Sequence, residues 1–304
     1  PNAGPWILAF AAGVLSGWVQ VGTVDAESPT GLDGYIWLDV NDESLPFQDH
    51  ATIQEWLRSA NVISREKVQR GVAEVEKLVL EHEGIQFHAA FRTVDVTVRK
   101  VAPRGVGRST KKYRDAAIFE SAAYELSELL GIGRVPPVVE RRIDDLNGTV
   151  QIWMEGTRPE VVLIQENQLR PPDRLRWNQQ KQIMFVFDNL IYNSDRNQGN
   201  LLIDRSWNIW FIDHTRAFKR SSKLIYLDKL TACERRLWNS LRKIDDQTFR
   251  QRLEPYLESQ EITKLLTRRR TLVRHIESLI RKGGEEKVLF DLRPPVVEWA
   301  VWGD

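Results

Sequence analysis

At 304 residues the chain is long enough to bury a sizeable core, as one large domain or as two lobes. Its 43 Lys and Arg against 42 Asp and Glu leave a formal charge of +1, which argues against nucleic acid or a membrane surface as the main partner. An apolar content of 42% with eleven Trp excludes a disordered chain, and the single cysteine, Cys233, excludes an intrachain disulfide or a cysteine-based zinc site.

No charged residue occurs from Pro1 to Val24, and Trp6 to Trp18 is a nearly continuous apolar run. It is shorter than the about 20 residues that a membrane span needs. It suits the apolar region of an export signal or a truncated anchor, and equally a buried strand or helix. The first residue is Pro1 rather than Met, so upstream sequence is expected. An exported or membrane-tethered protein is expected if the run is a signal or anchor, and a cytoplasmic one otherwise. Residues 1–50, turn-rich from residue 25, are expected to form an N-terminal extension.

A helix is predicted from Thr52, where Thr52 and Glu55 have capping-box spacing and Ile53, Trp56, Leu57 and Ala60 share one face. From Gly71 to Lys100 the pattern turns to strands. Phe87, Ala89 and Phe91 alternate with His88, Ala90 and Arg92, and Val94, Val96 and Val98 resume on the other parity. The basic stretch from Lys100 to Arg114 reads as a solvated loop. A helix over about Asp115–Leu130 carries the stripe Phe119, Ala122, Ala123, Leu126, Leu129 and Leu130, and Gly131 ends it. Glu140 to Asn147 reads as a charged turn and Thr149 to Met154 as a strand.

After Pro171 and Pro172, the residues Ile183, Met184, Phe187, Leu190 and Ile191 give the stripe of a buried helix that leads straight to Asp195. Asn200 follows five residues later and Asp213 thirteen after that. Between them, Leu201–Ile203 and Trp207–Ile212 flank the polar turn Asp204, Arg205 and Ser206, the pattern of a β-hairpin. Such a hairpin returns Asp213 to the side of Asn200 and gathers two carboxylates and an amide oxygen. Phosphoryl transfer uses this set: one carboxylate receives or orients the attacking hydroxyl, while the amide oxygen and the second carboxylate hold Mg²⁺. Helices are predicted over Glu234–Lys243, Gln247–Leu253 and Ser259–Arg281, with the basic run Arg268–Arg270 on a solvated face.

The string NSDRNQGNLLIDRSWNIWFIDHTRAF resembles the catalytic and metal-binding loops of the protein-kinase-like superfamily. Ser-Asp-Arg-Asn and Ile-Asp-His look more like its atypical branches: HipA-type kinases, secretory-pathway kinases and phosphoinositide lipid kinases. The resemblance implies an α+β, two-lobed protein-kinase-like fold, with a small β-rich N-lobe over residues 51–156 and a larger, mainly helical C-lobe over 157–284. Residues 285–304 would form a C-terminal tail. It further implies ATP as the nucleotide, with Mg²⁺ or alternatively Mn²⁺, and a hydroxyl acceptor on protein in preference to lipid or a small molecule.

By the same resemblance Asp195 and Arg196 are catalytic, and Asn200 and Asp213 hold the metal. Glu120, within FESAAYELSELLGIGRVPP, would pair with a strand base that contacts the phosphates. The expected base is lysine, but Arg92 follows the strand HAAF, and Lys100 is the nearest lysine downstream. Met154 and Glu155, in the hinge-like QIWMEG, would meet the adenine edge through the backbone. The alternative is a pseudokinase that binds nucleotide or a partner without transfer, since an Arg at the lysine position is not a conservative exchange.

Overall fold

The computed structural model describes residues 35–68, 75–100 and 111–295. Gly71, the run from Trp6 to Trp18, Gly105, Gly107, and Trp299 and Trp302 lie outside the described residues. Among the described residues, no helix is long and apolar enough to cross a membrane.

The chain has a small β-rich lobe above a larger helical one. Helix α1 (His50–Ser59) buries Ile53, Trp56 and Leu57. Its N-cap is Asp49, whose carboxylate accepts from Thr52 N at 2.7 Å, so the helix begins earlier than the Thr52–Glu55 spacing predicts. Five antiparallel strands follow in the order β1 (Asn61–Val68), β2 (Val75–His82), β3 (Ile85–Arg92), β7 (Leu146–Ile152) and β6 (Val138–Ile143). Of the predicted charged turn at 140–147, only Asp144 and Asp145 form the turn; the rest lies in strands β6 and β7. Arg141 there donates to the carbonyls of Leu57 (2.9 Å) and Ala60 (2.6 Å), closing the C-terminal end of α1. Gly148 explains how closely β3 and β7 approach: a Cβ there would lie 2.3 Å from the Arg92 carbonyl oxygen.

The basic stretch read as a solvated loop contributes a strand. β4 (Asp95–Lys100) and β5 (Lys111–Ala116) pair antiparallel. Helix α2 (Ile118–Leu130) ends at Gly131, whose φ of 70° is the left-handed cap that glycine adopts freely. Phe119, Ala122, Leu126 and Leu130 belong to the core of the helical lobe, so α2 is set between the lobes rather than on the sheet alone.

The helical lobe is built on α3 (Arg174–Ile191), α4 (Arg235–Lys243), α5 (Asp246–Leu253) and α6 (Ser259–Gly283). A three-stranded sheet, β10 (Ile209–Phe211), β9 (Leu201–Ile203) and β8 (Arg158–Pro159), sits beside α3. After α7 (Glu285–Val288), β12 (Leu289–Phe290) pairs in parallel with β11 (Cys233–Glu234), so this part of the expected tail packs on the body. Cys233 lies in that strand, and burial pushes its thiol well up.

Two further expectations change. Residues 35–47, expected within an extension, are part of the small lobe: Tyr35, Trp37, Leu45 and Phe47 are buried in its core. That same cluster takes in Trp210 from β10, whose ring centroid is 5.3 Å from Tyr35 and 5.9 Å from Trp37. The basic run 268–270 is not a solvated face. Arg268 is fully buried, and donates to the carbonyls of Leu190 (2.7 Å) and Lys219 (3.1 Å) and to that of Ser221. Arg269 is also buried and donates to the carbonyls of Leu241 (2.8 Å) and Ile244. Helical periodicity put these arginines opposite the apolar stripe, but long side chains can carry a guanidinium to orphan carbonyls in the interior.

Arg268→Ala leaves three carbonyls without their donor and is expected to cost about 2–4 kcal/mol by chemical denaturation. The exposed Arg270→Ala is expected to cost about 0.5 kcal/mol or less in the same assay.

Candidate active site

Helix α3 starts at Asp173, whose carboxylate accepts from Leu175 N (2.9 Å) and Arg176 N (3.0 Å), and ends at Tyr192 in the left-handed region (φ 55°). The left-handed residue turns the chain sharply. Asn193 N then donates to the Asp188 carbonyl (2.9 Å), and Asn193 Oδ1 accepts from Asp195 N (3.2 Å), an Asx-type turn that presents Asp195. The Asp195 carboxylate is about half exposed (45%). Asn200 Nδ2 and Asn197 Nδ2 both donate to the Asp195 carbonyl, at 3.3 and 3.2 Å.

The hairpin that follows is organised by Asp204. Its Oδ1 accepts from Ser206 N and Asn208 N, both at 2.9 Å, and its Oδ2 accepts from Trp210 Nε1 at 3.0 Å. Phe211 pairs with Leu201, and Ile212 N donates to the Asn200 carbonyl at 3.2 Å. Asp213 therefore starts where the hairpin closes, beside Asn200, with φ 60°. Asp195, Asn200 and Asp213 are brought to one loop cluster.

Arg196 holds that cluster from below. It forms a buried ion pair with Asp188: Nε lies 3.1 Å from Oδ2, and Nη2 lies 3.0 Å from Oδ1. Its Nη1 donates to the carbonyls of Asn200 (2.9 Å) and Ile212 (2.6 Å). Nη2 also lies 3.0 Å from His214 Nε2. A guanidinium only donates, so Nε2 accepts and the His214 proton resides on Nδ1, which donates to Glu120 Oε2 at 2.8 Å. His214 N donates to Glu120 Oε1 at the same distance. Arg196 is thus a scaffold for the loop, its donors engaged by Asp188, two carbonyls and His214.

Glu120 is fully buried. Burial pushes its carboxyl up, but the Arg92 charge and the two hydrogen bonds from His214 outweigh it and hold the group below the usual carboxylate range. Arg92 Nε lies 3.9 Å from Glu120 Oε1, an ion pair without a hydrogen bond, and Nε has no hydrogen-bond partner. Its Nη1 donates to Gln151 Oε1 at 3.4 Å. Glu120 on α2 and Arg92 at the end of β3 thus stand as a loose ion pair. Lys100 is the last residue of β4, in a separate two-stranded sheet, and its side chain lies outside the described residues.

Asp213 is half-buried, and burial and the Glu120 charge raise its carboxyl against the opposing pull of Arg92 and Arg196. A carboxylate so placed gains from a nearby cation. Asn200 Oδ1 accepts from no described residue. Two hard oxygens of this kind fit Mg²⁺ or Mn²⁺, ions that fill their remaining positions with water and phosphate oxygens. Among the described residues there is no group of three or more His, Cys, Asp or Glu able to hold a metal, so any ion here would need those outside oxygens.

At the hinge-like strand end, Met154 is buried in the small-lobe core, and its carbonyl accepts from Thr157 Oγ1 at 2.7 Å. The Glu155 carbonyl accepts from Tyr35 Oη at 2.5 Å. The Glu155 side chain turns back to His88 Nδ1 (2.5 Å) and Lys77 Nζ (3.6 Å), with Lys77 4.8 Å over the Trp153 ring. Both hinge carbonyls already accept a hydrogen bond, which differs from a free backbone edge.

Solved structures share this architecture. That of hydra Fam20 with sugar superposes with a TM-score of 0.57 at 16% identity, covering 79% of this chain and 92% of that one. The Golgi casein kinase gives 0.56 at 14% identity, covering 79% and 78%. The same kinase with Mn/ADP bound gives 0.56 at 15%, covering 81% and 80%. The fold is kinase-like. No family model matches the sequence, and no curated protein matches it.

Sequence reasoning missed Asp188 and Asn193, although Asp188 stands as a charge inside an apolar helical stripe, which is itself a signal of a buried partner. It also missed Asp115, Lys77 and His88, whose partners lie far away along the chain.

Glu120 has a folded-state value below its ordinary one, so its contribution is complete above the ordinary carboxylate range and is lost as pH falls through the lowered value. Denaturant titrations between pH 5 and pH 2 are expected to show a shallower loss of stability for Glu120→Gln than for the wild-type chain.

Proposed function

We propose that this chain is a phosphotransferase that moves the γ-phosphoryl group of ATP to a hydroxyl acceptor, on a protein in preference to a lipid or small molecule. The observation that carries the reading is the return of Asp213 to Asn200 beside Asp195, clamped through Arg196 to the carbonyls of Asn200 and Ile212. The kinase-like fold, and a Golgi casein kinase that binds Mn/ADP, support it. The HipA-type and phosphoinositide-kinase likenesses rest on the Ser-Asp-Arg-Asn and Ile-Asp-His strings alone.

In this reading Asp195 takes the proton of the acceptor hydroxyl as its oxygen attacks the γ-phosphorus, and ADP departs. Asn200 and Asp213 would hold Mg²⁺ or Mn²⁺, which when bound neutralises charge on the phosphates. Arg92 faces the phosphates from β3, with Glu120 behind it. Arg196 does not touch substrate; it fixes the separation of Asp195, Asn200 and Asp213 to the tolerance that in-line transfer needs.

A second reading, a pseudokinase that binds nucleotide without transfer, has one specific observation in its favour. Glu120 gives both oxygens to His214, and the strand base is an arginine at 3.9 Å rather than a hydrogen-bonded lysine.

Thermal shifts with ATP are expected to depend on Mg²⁺ or Mn²⁺ in the wild-type chain and to vanish in Asp213→Ala. No shift with either metal would remove the nucleotide site. With radiolabelled ATP, label should reach an acceptor and fall by about 10³-fold or more in Asp195→Ala. A metal-dependent shift with no transferred label would instead favour the pseudokinase.

A further inference from the structure

Asp195 has a cationic neighbour that the catalytic scheme above does not use. Arg216, three residues after Asp213, places Nη1 3.0 Å from Asp195 Oδ2 and Nε 2.6 Å from Asp115 Oδ2. Asp115 is buried near the end of β5, and its other oxygen has no hydrogen-bond partner. Next to it, Ala116 N donates to the Thr215 carbonyl at 2.8 Å, so the strand and the Arg216 loop are joined through the backbone as well. Arg216 Nη2 has no partner among the described residues.

Other polar groups near Asp195 are committed elsewhere. Arg196 is spent on Asp188, two carbonyls and His214. Asn197 folds back, accepting from Gly199 N at 2.8 Å and donating to the Asp195 carbonyl. Lys219 donates to Ser194 Oγ at 2.5 Å and lies 5.9 Å from the Tyr192 ring centroid.

The problem Arg216 answers is electrostatic. A phosphoryl group in transit carries negative charge on its equatorial oxygens, and it must pass close to a carboxylate. A fixed guanidinium between the two turns that repulsion into attraction, and its fork can serve two oxyanions at once. Asp115 holds Nε, which leaves Nη1 on Asp195 and Nη2 without a partner among the described residues.

We propose that Arg216, seated on Asp115, is a catalytic arginine acting in cis: Nη1 orients the Asp195 carboxylate while Nη2 donates to an equatorial oxygen of the transferring phosphoryl group. This rests on the phosphotransferase reading and extends it. The acceptor oxygen forms its bond to phosphorus as the bond to the ADP oxygen breaks. The hydroxyl proton goes to Asp195, and Arg216 keeps all its protons throughout.

The test compares wild type, Arg216→Ala, Arg216→Lys and Asp115→Asn for ADP binding, for ADP with aluminium fluoride as a mimic of the phosphoryl group in flight, and for transfer from ATP, all with Mg²⁺. Wild type should bind the aluminium fluoride complex more tightly than ADP. Arg216→Ala should keep the ADP affinity, lose that increment, and drop kcat by about 10²–10³-fold with KM for ATP changed by about threefold or less. Arg216→Lys should recover part of the loss, and Asp115→Asn should fall between. Unfolding midpoints of the four proteins identify any variant that has merely lost its fold, in which case Arg216→Lys carries the comparison. An unchanged increment, or an unchanged kcat, in Arg216→Ala overturns the assignment while leaving the nucleotide site standing. A wild-type chain that binds ADP but gains nothing from aluminium fluoride overturns it too. Failure of the wild type to bind ADP at all removes the phosphotransferase reading itself.

Discussion

The site depends on one buried ion pair. Asp188, in the last turn of α3, is fully buried, and the only way such a carboxylate is tolerated is with a partner that satisfies its charge and lone pairs. Arg196 does so, and its remaining donors reach the carbonyls at the two ends of the hairpin. One guanidinium therefore sets how far Asn200 stands from Asp213. The chain continues through His214 to Glu120 on α2, so groups from α3, the loop, the hairpin end and α2 form one hydrogen-bonded line. Removing any member would strand a buried charge or donor on the next.

That line changes what Glu120 can do. With both oxygens accepting from His214, it has little left for a strand base, and Arg92 stands at ion-pair distance with an unpartnered Nε. The planar fork of Arg92 engages Gln151 through Nη1, whereas a lysine ammonium is a compact point charge. Because α2 also packs into the helical core, its acid is fixed by both covalent neighbours and packing rather than by the base it faces.

The loop cluster was legible in the sequence because its information is local. An apolar helix ending at a carboxylate, a five-residue step to Asn200, and a hairpin of fixed length leave Asp213 few places to go. The two-lobed fold followed from resemblance and from strands giving way to helices. What stayed hidden was non-local. Arg268 and Arg269 look like a solvated face on a helical wheel, yet they reach carbonyls 78 and 28 residues away in sequence. Tyr35 and Trp37 stand in a turn-rich stretch with no period, and only the folded chain brings them to Trp210. The strands β1 and β5 are charged and lack the alternation that marks a half-buried strand, so their pairing partners define them more than their side chains do.

Trp210 has a further consequence. It comes from the hairpin of the helical lobe but is buried among side chains of the sheet lobe, while Tyr35 reaches across to the carbonyl of Glu155 between them. The two lobes thus share a stretch of hydrophobic interior behind the connecting strand. A jaw riveted at its back cannot gape widely without exposing that interior to water.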